Sequence, residues 1–174
     1  FFPSKEGAES SFVGKGKGKG SNINVAWNHT SSLDNSSIGD KEYKYICDNL
    51  FYSVIEEFKP ELIIISAGFD AAKGDPIGKL QVTPKGFFYM ANMLKTLCNK
   101  IVVVLEGGYN LKAISKSAEA TIKALLVDTP EYLSSNIDID DLKPSVVATF
   151  RRTAEAHSKY WKAAQKLLDI IDDL

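Results

Sequence analysis

Two short polar segments follow apolar runs, and they hold the side chains best suited to chemistry. Asp70 lies just beyond the run 61–66 (ELIIIS), and Tyr109 lies just beyond the run 101–105 (IVVVL). A carboxylate at such a position can ligate a metal or act as a base, and a phenol can donate a hydrogen bond to a developing oxyanion. Each residue also has a structural interpretation, Asp70 as a turn or capping residue and Tyr109 as a ring packed over the sheet edge. Position alone leaves both interpretations open.

Other polar residues give weaker signals. Asp75 precedes Pro76, a pair that favours turn initiation, so we predict a turn residue there. His29 lies in a polar segment and is predicted to be a solvated loop residue. His157 lies in an apolar helical pattern and is predicted to be a hydrogen-bonded packing residue. Neither histidine has a His or Cys at metal-ligand spacing.

Common motifs for phosphate binding and nucleophilic catalysis do not fit. The segment 14–20 (GKGKGKG) lacks the spacing and the following Ser or Thr of a P-loop, and it precedes a predicted strand where a dinucleotide fingerprint would follow one. Ser66 is no nucleophile elbow because Ile64 occupies the first Gly position. Cys47 and Cys98 lie in apolar helical patterns, which predicts reduced core residues and a reducing compartment.

The alternation of elements predicts an α/β domain with a parallel sheet and right-handed crossovers. Strands are predicted over 22–27, 61–66 and 101–105, the last two buried on both faces. Helices are predicted to begin at the N-caps Asp40, Thr83 and Asn110, and a single terminal helix is predicted from near Ser145 to about Ile171. For the third helix, the predicted buried face consists of Leu111, Ile114, Ala118, Ile122 and Leu125.

This arrangement predicts where the site should lie. Ligands bind beyond the carboxyl ends of strands in open α/β sheets. The loops 67–81 and 106–110 leave two such ends, so we expect them to open on the same edge of the sheet. Asp70 and Tyr109 should therefore lie close together.

Composition sets limits on size and partners. The 174 residues are 44% hydrophobic, which suits one core and one domain. The net charge of -1 gives no electrostatic case for broad nucleic-acid binding, and no apolar run reaches the roughly 18 residues of a membrane span. We therefore expect neither direct nucleic-acid contact nor membrane association. The start, residues 1–3 (FFP), has neither Met nor a signal pattern, so we expect the chain to be cut from a longer protein.

Several segments together resemble the zinc-dependent histone deacetylase family. Residues 66–76 (SAGFDAAKGDP) resemble the segment with its last zinc ligand, and 105–111 (LEGGYNL) resemble its catalytic-tyrosine loop. Residues 1–3, 24–27 (NVAW) and 39–43 (GDKEY) are similar to the class II pattern, and 157–161 (HSKYW) are similar to the tail of eukaryotic class II domains. The resemblance implies a three-layer αβα fold with a mainly parallel sheet, as in arginases and deacetylases. Residues 1–174 would then form the carboxy-terminal part of a single catalytic domain.

The resemblance also implies roles. Asp70 matches the zinc-binding aspartate, and Tyr109 matches the tyrosine that polarises the acetyl carbonyl. Gly107 and Gly108 match channel-lining glycines, and Ile77 matches a channel-wall position. The implied reaction is hydrolysis of acetyl-lysine, in histones or other proteins, by water activated on Zn²⁺. A corepressor complex and a location in the nucleus, the cytoplasm or both are also implied.

The sequence departs from the family pattern in one respect. The other two zinc ligands, an Asp-x-His pair, and the catalytic His pair would lie before residue 1, so we expect the isolated chain to bind zinc weakly and to be inactive. The vertebrate class IIa branch has His at the position of Tyr109 and weak activity, so Tyr109 implies a competent parent enzyme. An acetylpolyamine amidohydrolase, a non-catalytic scaffold and a metal-free α/β module are the alternatives. The segment 157–161 favours a protein deacetylase over the polyamine enzyme.

Overall fold

A computed structural model describes residues 5–27, 38–127 and 136–174. Its helices are α1 (Lys5–Ala8), α2 (Asp40–Ile46), α3 (Tyr52–Phe58), α4 (Pro84–Leu97), α5 (Leu111–Leu126), α6 (Pro144–His157) and α7 (Lys162–Asp172). A π-helical turn, Cys47–Phe51, joins α2 to α3, so residues 40–58 form one continuous helical stretch. Short 3₁₀ turns lie at Gly16–Gly18, Phe69–Ala71 and Ile139–Asp141. His29 lies outside the described residues.

The sheet in the described residues consists of two parallel strands, β1 (Ile63–Ala67) and β2 (Ile101–Leu105). Ile63 pairs with Ile101 and Ala67 pairs with Leu105, so the strands end in register. The prediction of these two strands is confirmed. The helix α4 connects them, and it packs extensively against α5.

One face of this sheet is covered and the other is open. Ile65 and Val103 pack with Phe69 and Phe87 in a core that α4 and α5 help to form. On the opposite face, Ile64 is 63% exposed. The prediction that both faces are buried is therefore wrong within the described residues, because helices cover only the face of Ile65 and Val103.

A second and larger core joins the 40–58 helical stretch to α6 and α7. Its centre includes Leu50, Phe150 and Leu167, all with 0% exposure. Tyr45 stacks on Phe150 with ring centroids 5.6 Å apart. This core supports α2, which in turn packs against α4. Residue 40 links the same two helices, because the Asp40 carboxylate accepts hydrogen bonds from Thr83 N at 2.7 Å and Thr83 Oγ1 at 2.5 Å.

The predicted helix starts are correct to within one residue. Thr83 caps α4 by accepting a hydrogen bond from Lys85 N, and Asn110 caps α5 by accepting from Lys112 N and Ala113 N. The prediction of Asp40 as an N-cap is wrong by one position, since Gly39 precedes the first helical residue, Asp40. The Asp40 carboxylate instead accepts a hydrogen bond from Thr83 N at the start of α4.

The predicted strand 22–27 is absent, since these residues have no regular secondary structure in the described part of the chain. Its apolar residues, Ile23, Val25 and Trp27, pack against the larger core. Asn24 points the other way and donates from Nδ2 to Gly7 O at 2.8 Å. The alternation of the sequence is therefore satisfied by helix packing and side-chain hydrogen bonds, not by a sheet.

The predicted terminal helix is two helices. The first helix, α6, ends at His157, and Trp161 is extended with φ -132° and ψ 128° before α7 begins. Trp161 Nε1 donates to Gly20 O at 2.7 Å, and the His157 ring nitrogens lie 2.7 Å from Asn22 O and 2.9 Å from Thr153 O. Trp161 in the connection and His157 at the end of α6 thus both hold the amino-terminal segment. His157 is fully buried and hydrogen-bonded, as predicted.

The buried face of α5 also differs from the prediction. Leu111 is 85% exposed and Ile122 is 57% exposed, while Ser117, Thr121 and Ala124 are buried. Small residues face α4, because the two helices approach closely along their length.

Both cysteines are free. Cys47 is buried as predicted, but the prediction of Cys98 as a core residue is wrong, because Cys98 follows the last residue of α4 and is only partly buried. Burial raises the pKa of the Cys47 thiol to about 12, so this thiol stays protonated at neutral pH. Among the described residues, no helix has the length and apolar character needed to cross a bilayer.

Candidate active site

The ends of β1 and β2 bring the two chemistry-bearing loops together at one edge of the sheet, as predicted. Backbone hydrogen bonds continue past the strands, from Glu106 N to Ala67 O at 3.1 Å and from Phe69 N to Gly107 O at 2.8 Å. The second bond joins the residue before Asp70 directly to the Gly107–Gly108 turn. The loop of Asp70 and the loop of Tyr109 therefore form one structural unit.

Asp70 lies in the 3₁₀ turn Phe69–Ala71 and is partly buried. Its carboxylate borders on two glycines. A Cβ at Gly107 would lie 2.8 Å from Asp70 Oδ2, and a Cβ at Gly68 would lie 3.1 Å from Asp70 Oδ1. Any side chain at Gly107 would thus have to displace the carboxylate.

Gly78 fixes the backbone of Asp70 from the other side. A Cβ at Gly78 would lie 1.9 Å from Asp70 O, a distance that no real side chain could adopt. The loop 72–82 folds back over Asp70 because this position has no side chain. Val82 N donates to Ala71 O at 3.2 Å and Lys73 N donates to Val82 O at 2.8 Å, which closes the loop.

Asp75 connects the two loops. It is 4% exposed, and its Oδ1 accepts from Ile77 N at 2.8 Å and Gly78 N at 3.0 Å. Its Oδ2 accepts from Tyr109 N at 2.7 Å. Burial acts to raise the pKa of Asp75, but the three backbone N–H donors outweigh it and hold the pKa below its ordinary value. The predicted turn residue is therefore also a bridge between loops, which sequence spacing did not indicate.

A second bridge runs beside it. Asn110 Nδ2 donates to Gly74 O at 2.8 Å, while Asn110 Oδ1 caps α5. The backbone of Tyr109 and the side chain of its neighbour Asn110 are thus both bound to the 72–78 part of the neighbouring loop. The Tyr109 backbone is held, whereas the Tyr109 side chain is 57% exposed and free of described hydrogen bonds.

The remaining candidates lie on the same two loops. Gly108 has φ +134°, and a Cβ there would lie 2.9 Å from Ile114 Cγ1. This position therefore requires glycine on both conformational and steric grounds. Ile77 is exposed on the loop that Asp75 shapes. The structure brings Asp70, Ile77, Gly107, Gly108 and Tyr109 into one region.

A cavity of about 390 Å³ adjoins Asp70 between β1 and α4. Its lining includes Tyr43 of α2, a residue that the sequence analysis includes only in the segment 39–43 and not among the candidate site residues. Trp27 Nε1 donates to Tyr43 Oη at 3.3 Å. Burial raises the pKa of Tyr43 to about 12, and the negative charge of Asp70 adds to this effect. The Tyr43 phenol therefore remains protonated beside Asp70, and no spacing signal could have revealed it.

The surroundings of Asp70 fit one ligand of a metal site. No described residue donates a hydrogen bond to its carboxylate, and both oxygens face glycine. Within ranges 5–27, 38–127 and 136–174, however, no cluster of three His, Cys, Asp or Glu side chains could hold a metal ion. The described part of the chain thus offers one carboxylate and not a complete site.

The fold and this site define an α/β protein whose candidate active site lies at the carboxyl edge of a parallel sheet. A family model described as "Histone deacetylase domain" matches residues 1–125. The chain belongs to the histone deacetylase family.

Its relatives are of the class II type. It is 38% identical over 167 residues to histone deacetylase HDA1 of Saccharomyces cerevisiae, covering 95% of this chain and 22% of the relative. It is 45% identical over 166 residues to HDA1 of Candida albicans, covering 94% of this chain and 18% of the relative. The chain therefore spans about a fifth of the length of these relatives.

Solved structures agree with the fold prediction. The structure of the histone deacetylase Clr3 matches with a TM-score of 0.81 and 35% identity, covering 94% of this chain and 26% of the other. The HDA15 HD domain matches with a TM-score of 0.81 and 34% identity, covering 100% of this chain and 44% of the other. The two strands and their helices are thus part of a three-layer αβα deacetylase-like fold.

Proposed function

We propose that this chain is the carboxy-terminal part of a zinc-dependent deacetylase domain that hydrolyses acetyl-lysine in histones or other proteins. The observation that carries the proposal is the union of the Asp70 and Tyr109 loops through the Phe69 N to Gly107 O hydrogen bond of 2.8 Å. Through this union the Asp70 carboxylate and the exposed Tyr109 phenol lie at one edge of the sheet. No described residue donates a hydrogen bond to that carboxylate. Membership of the histone deacetylase family supports the choice of reaction.

In this proposal Asp70 is one ligand of Zn²⁺, and Tyr109 is the catalytic residue. Bound zinc would supply Lewis-acid polarisation and a water with lowered pKa. The Tyr109 hydroxyl donates a hydrogen bond to the acetyl oxygen, which gains negative charge as the amide is attacked. Asp75 acts as a positioning residue because it holds Tyr109 N at 2.7 Å.

The substrate channel is formed by small and apolar groups. In this proposal the backbone at Gly107 and Gly108 lines the channel, and Ile77 provides an exposed apolar wall. Such a lining buries the methylene groups of lysine while leaving the amide for Asp70 and Tyr109 to recognise.

The remaining zinc ligands and the general base would come from polypeptide outside residues 1–174. The open sheet face supports this part of the proposal, since Ile64, Val102 and Val104 are exposed on it. A parallel sheet in a complete αβα domain has both faces covered. We therefore propose that the 174-residue chain alone binds zinc weakly and has no turnover. Corepressor partners and a nuclear or cytoplasmic location belong to the same proposal.

The test compares a complete domain containing these residues with its Asp70→Asn and Tyr109→Phe variants. Hydrolysis of an acetyl-lysine peptide and zinc content are measured for each. We expect Asp70→Asn to lose zinc and activity together. Tyr109→Phe should retain zinc and lose turnover by about 10²–10³-fold, the usual cost of removing an oxyanion donor. The Tyr52→Phe variant, which alters a hydroxyl remote from the site, should match the unmutated domain.

Three results would contradict the proposal in different ways. A complete domain that holds no zinc and hydrolyses nothing would favour a non-catalytic scaffold. Faster hydrolysis of acetylputrescine than of the acetyl-lysine peptide would favour an acetylpolyamine amidohydrolase. Efficient turnover by the 174-residue chain alone would show that no further ligands are needed.

A further inference from the structure

The residues around the start of α2 hold the far end of the loop that follows Asp70. Gln81 N donates a hydrogen bond to Ile38 O at 2.7 Å. The Asp40 carboxylate accepts hydrogen bonds from Thr83 N at 2.7 Å and from Thr83 Oγ1 at 2.5 Å. The single residue between Gln81 and Thr83 is therefore fixed on both sides.

That residue, Val82, is bonded directly to the backbone that leaves Asp70. Val82 N donates to Ala71 O at 3.2 Å, and Lys73 N donates to Val82 O at 2.8 Å. Ala72, which lies between these two partners in the chain, forms a parallel bridge with Val82. Val82 itself is completely buried. The course of the chain just after Asp70 is therefore set by the position of Val82.

The Asp40 carboxylate fits into a space that a glycine leaves open. A Cβ at Gly86, in the first turns of α4, would lie 2.3 Å from Asp40 Oδ1 and 3.0 Å from Val82 Cγ1. Gly86 has no positive φ, so its backbone conformation does not require glycine. Glycine also lowers helix stability relative to alanine. The contact between Asp40 and the start of α4 is therefore the feature that requires glycine at this position.

Helix capping alone does not account for Asp40. The helix α4 has its own cap, since Thr83 Oγ1 accepts a hydrogen bond from Lys85 N at 3.2 Å. The start of α2 is also satisfied without the Asp40 side chain, because Glu42 Oε2 accepts from Gly39 N at 2.8 Å. The described hydrogen bonds of the Asp40 carboxylate thus serve to join two segments that are distant in the chain.

We propose that Asp40 is a positioning residue for Asp70. It acts through Thr83 and Val82 on the backbone that carries the Asp70 carboxylate. This role depends on the proposed function, because only there is Asp70 a ligand of zinc. A ligand oxygen must lie within about 0.2 Å of its coordination distance, so a small shift of this backbone weakens metal binding. Residues that orient metal ligands in this way change metal affinity by about 10–100-fold when they are replaced.

The first test needs no metal and uses the 174-residue chain. Amide hydrogen exchange, measured by mass spectrometry, compares the unmutated chain with the Asp40→Ala variant. We expect faster exchange in peptides covering 71–83, where the Val82 hydrogen bonds lie, and unchanged exchange in peptides covering 101–107. Unchanged exchange in 71–83, or an equal increase in both regions, would overturn the role of Asp40.

The second test measures the zinc dissociation constant of a complete domain by competition with a chromophoric chelator. Asp40→Ala should raise this constant about 10-fold or more. Gly86→Ala keeps the carboxylate but removes its space, so it should act in the same direction. Asp40→Asn should recover most of the affinity, because its amide oxygen can accept from Thr83 N and its NH₂ group can donate to Thr83 Oγ1.

A matched control separates positioning from a general loss of stability. Thr153→Val removes a buried hydroxyl in α6 that donates to Asn24 O at 3.0 Å, so it should lower the urea midpoint of unfolding without changing the zinc dissociation constant. Circular dichroism establishes that each variant is folded at the temperature of the zinc measurement.

The failures of the two proposals can be told apart. If the unmutated domain binds zinc and Asp40→Ala binds it equally well, the role of Asp40 is overturned while the deacetylase proposal stands. Equal losses of zinc affinity in Asp40→Ala and Thr153→Val would have the same meaning. If the unmutated domain binds no zinc, the deacetylase proposal is overturned and the role of Asp40 toward a metal ligand is overturned with it.

Discussion

The Asp75 carboxylate accepts a hydrogen bond of 2.7 Å from the backbone N–H of Tyr109, 34 residues further along the chain. The same carboxylate accepts two more from its own loop, so one buried side chain fixes the relative position of both loops at the sheet edge. Interactions of this kind are strong because a charged acceptor meets several donors.

Asp75→Asn should destabilise the chain by about 1.5–3 kcal/mol, the range for hydrogen bonds to a buried charged group. In this variant the amide oxygen can still accept hydrogen bonds. The NH₂ group would face a backbone N–H, so two donors would meet without an acceptor. The urea midpoint of unfolding measures this change. Asp173→Asn, at an exposed position near the end of α7, is the matched control and should leave the midpoint unchanged. Equal stability of the two variants would show that the Asp75 hydrogen bonds contribute little.

The pH dependence of the unfolding free energy should show the contribution of Asp75. The pKa of Asp75 is lowered in the folded chain, so its stabilising contribution is present above the unfolded pKa, about 3.8, and is lost as pH falls through the folded pKa. The stability difference between the unmutated chain and Asp75→Asn should therefore be constant near neutral pH and shrink below about pH 4. Urea unfolding at several pH values measures it. A difference that stays constant down to pH 2 would contradict the lowered pKa.

Gly78→Ala should distort the site more than the small volume of one added methyl group suggests. The new methyl group would lie 1.9 Å from Asp70 O, so the loop must move. We expect a loss of about 1–3 kcal/mol in unfolding free energy, as for overpacked positions. Gly18→Ala is the control, since a Cβ there meets open space, and it should change stability by less than about 0.5 kcal/mol. Similar effects of the two substitutions would argue against the close approach of loop 72–82 to Asp70.

Trp161→Phe should loosen residues 13–22 from α6 and α7. The substitution removes the donor to Gly20 O and leaves that carbonyl without its indole partner. We expect a loss of about 1–2 kcal/mol and faster amide hydrogen exchange in residues 13–22. Hydrogen exchange measured by mass spectrometry gives the local effect. Unchanged exchange in this segment would mean that other contacts suffice to hold it.

The features that sequence analysis predicted correctly depend on short-range signals. Thr83 followed by Pro84 marks the start of α4, and Asn110 after a Gly pair marks the start of α5. The two apolar runs give β1 and β2 because each is short, β-branched and bounded by turn residues. The placement of Asp70 and Tyr109 at one edge follows from the parallel pairing alone.

The features that were missed depend on partners far away in the chain. The 22–27 segment alternates as a strand does, but His157 and Thr153 of α6 take the carbonyls that a strand would have paired. The terminal helix breaks because Trp161 reaches Gly20, 141 residues earlier. Neither periodicity nor capping signals include such contacts, so the two errors have a common physical origin.

The open face of the β1–β2 sheet has a consequence for how the isolated chain would behave in solution. Ile64, Val102 and Val104 form a bare β-branched surface on a sheet whose two edges have no partner strands among the described residues. Such a surface and such edges favour strand addition between copies. Concentration, more than temperature, should therefore limit the lifetime of the purified 174-residue chain as a monomer.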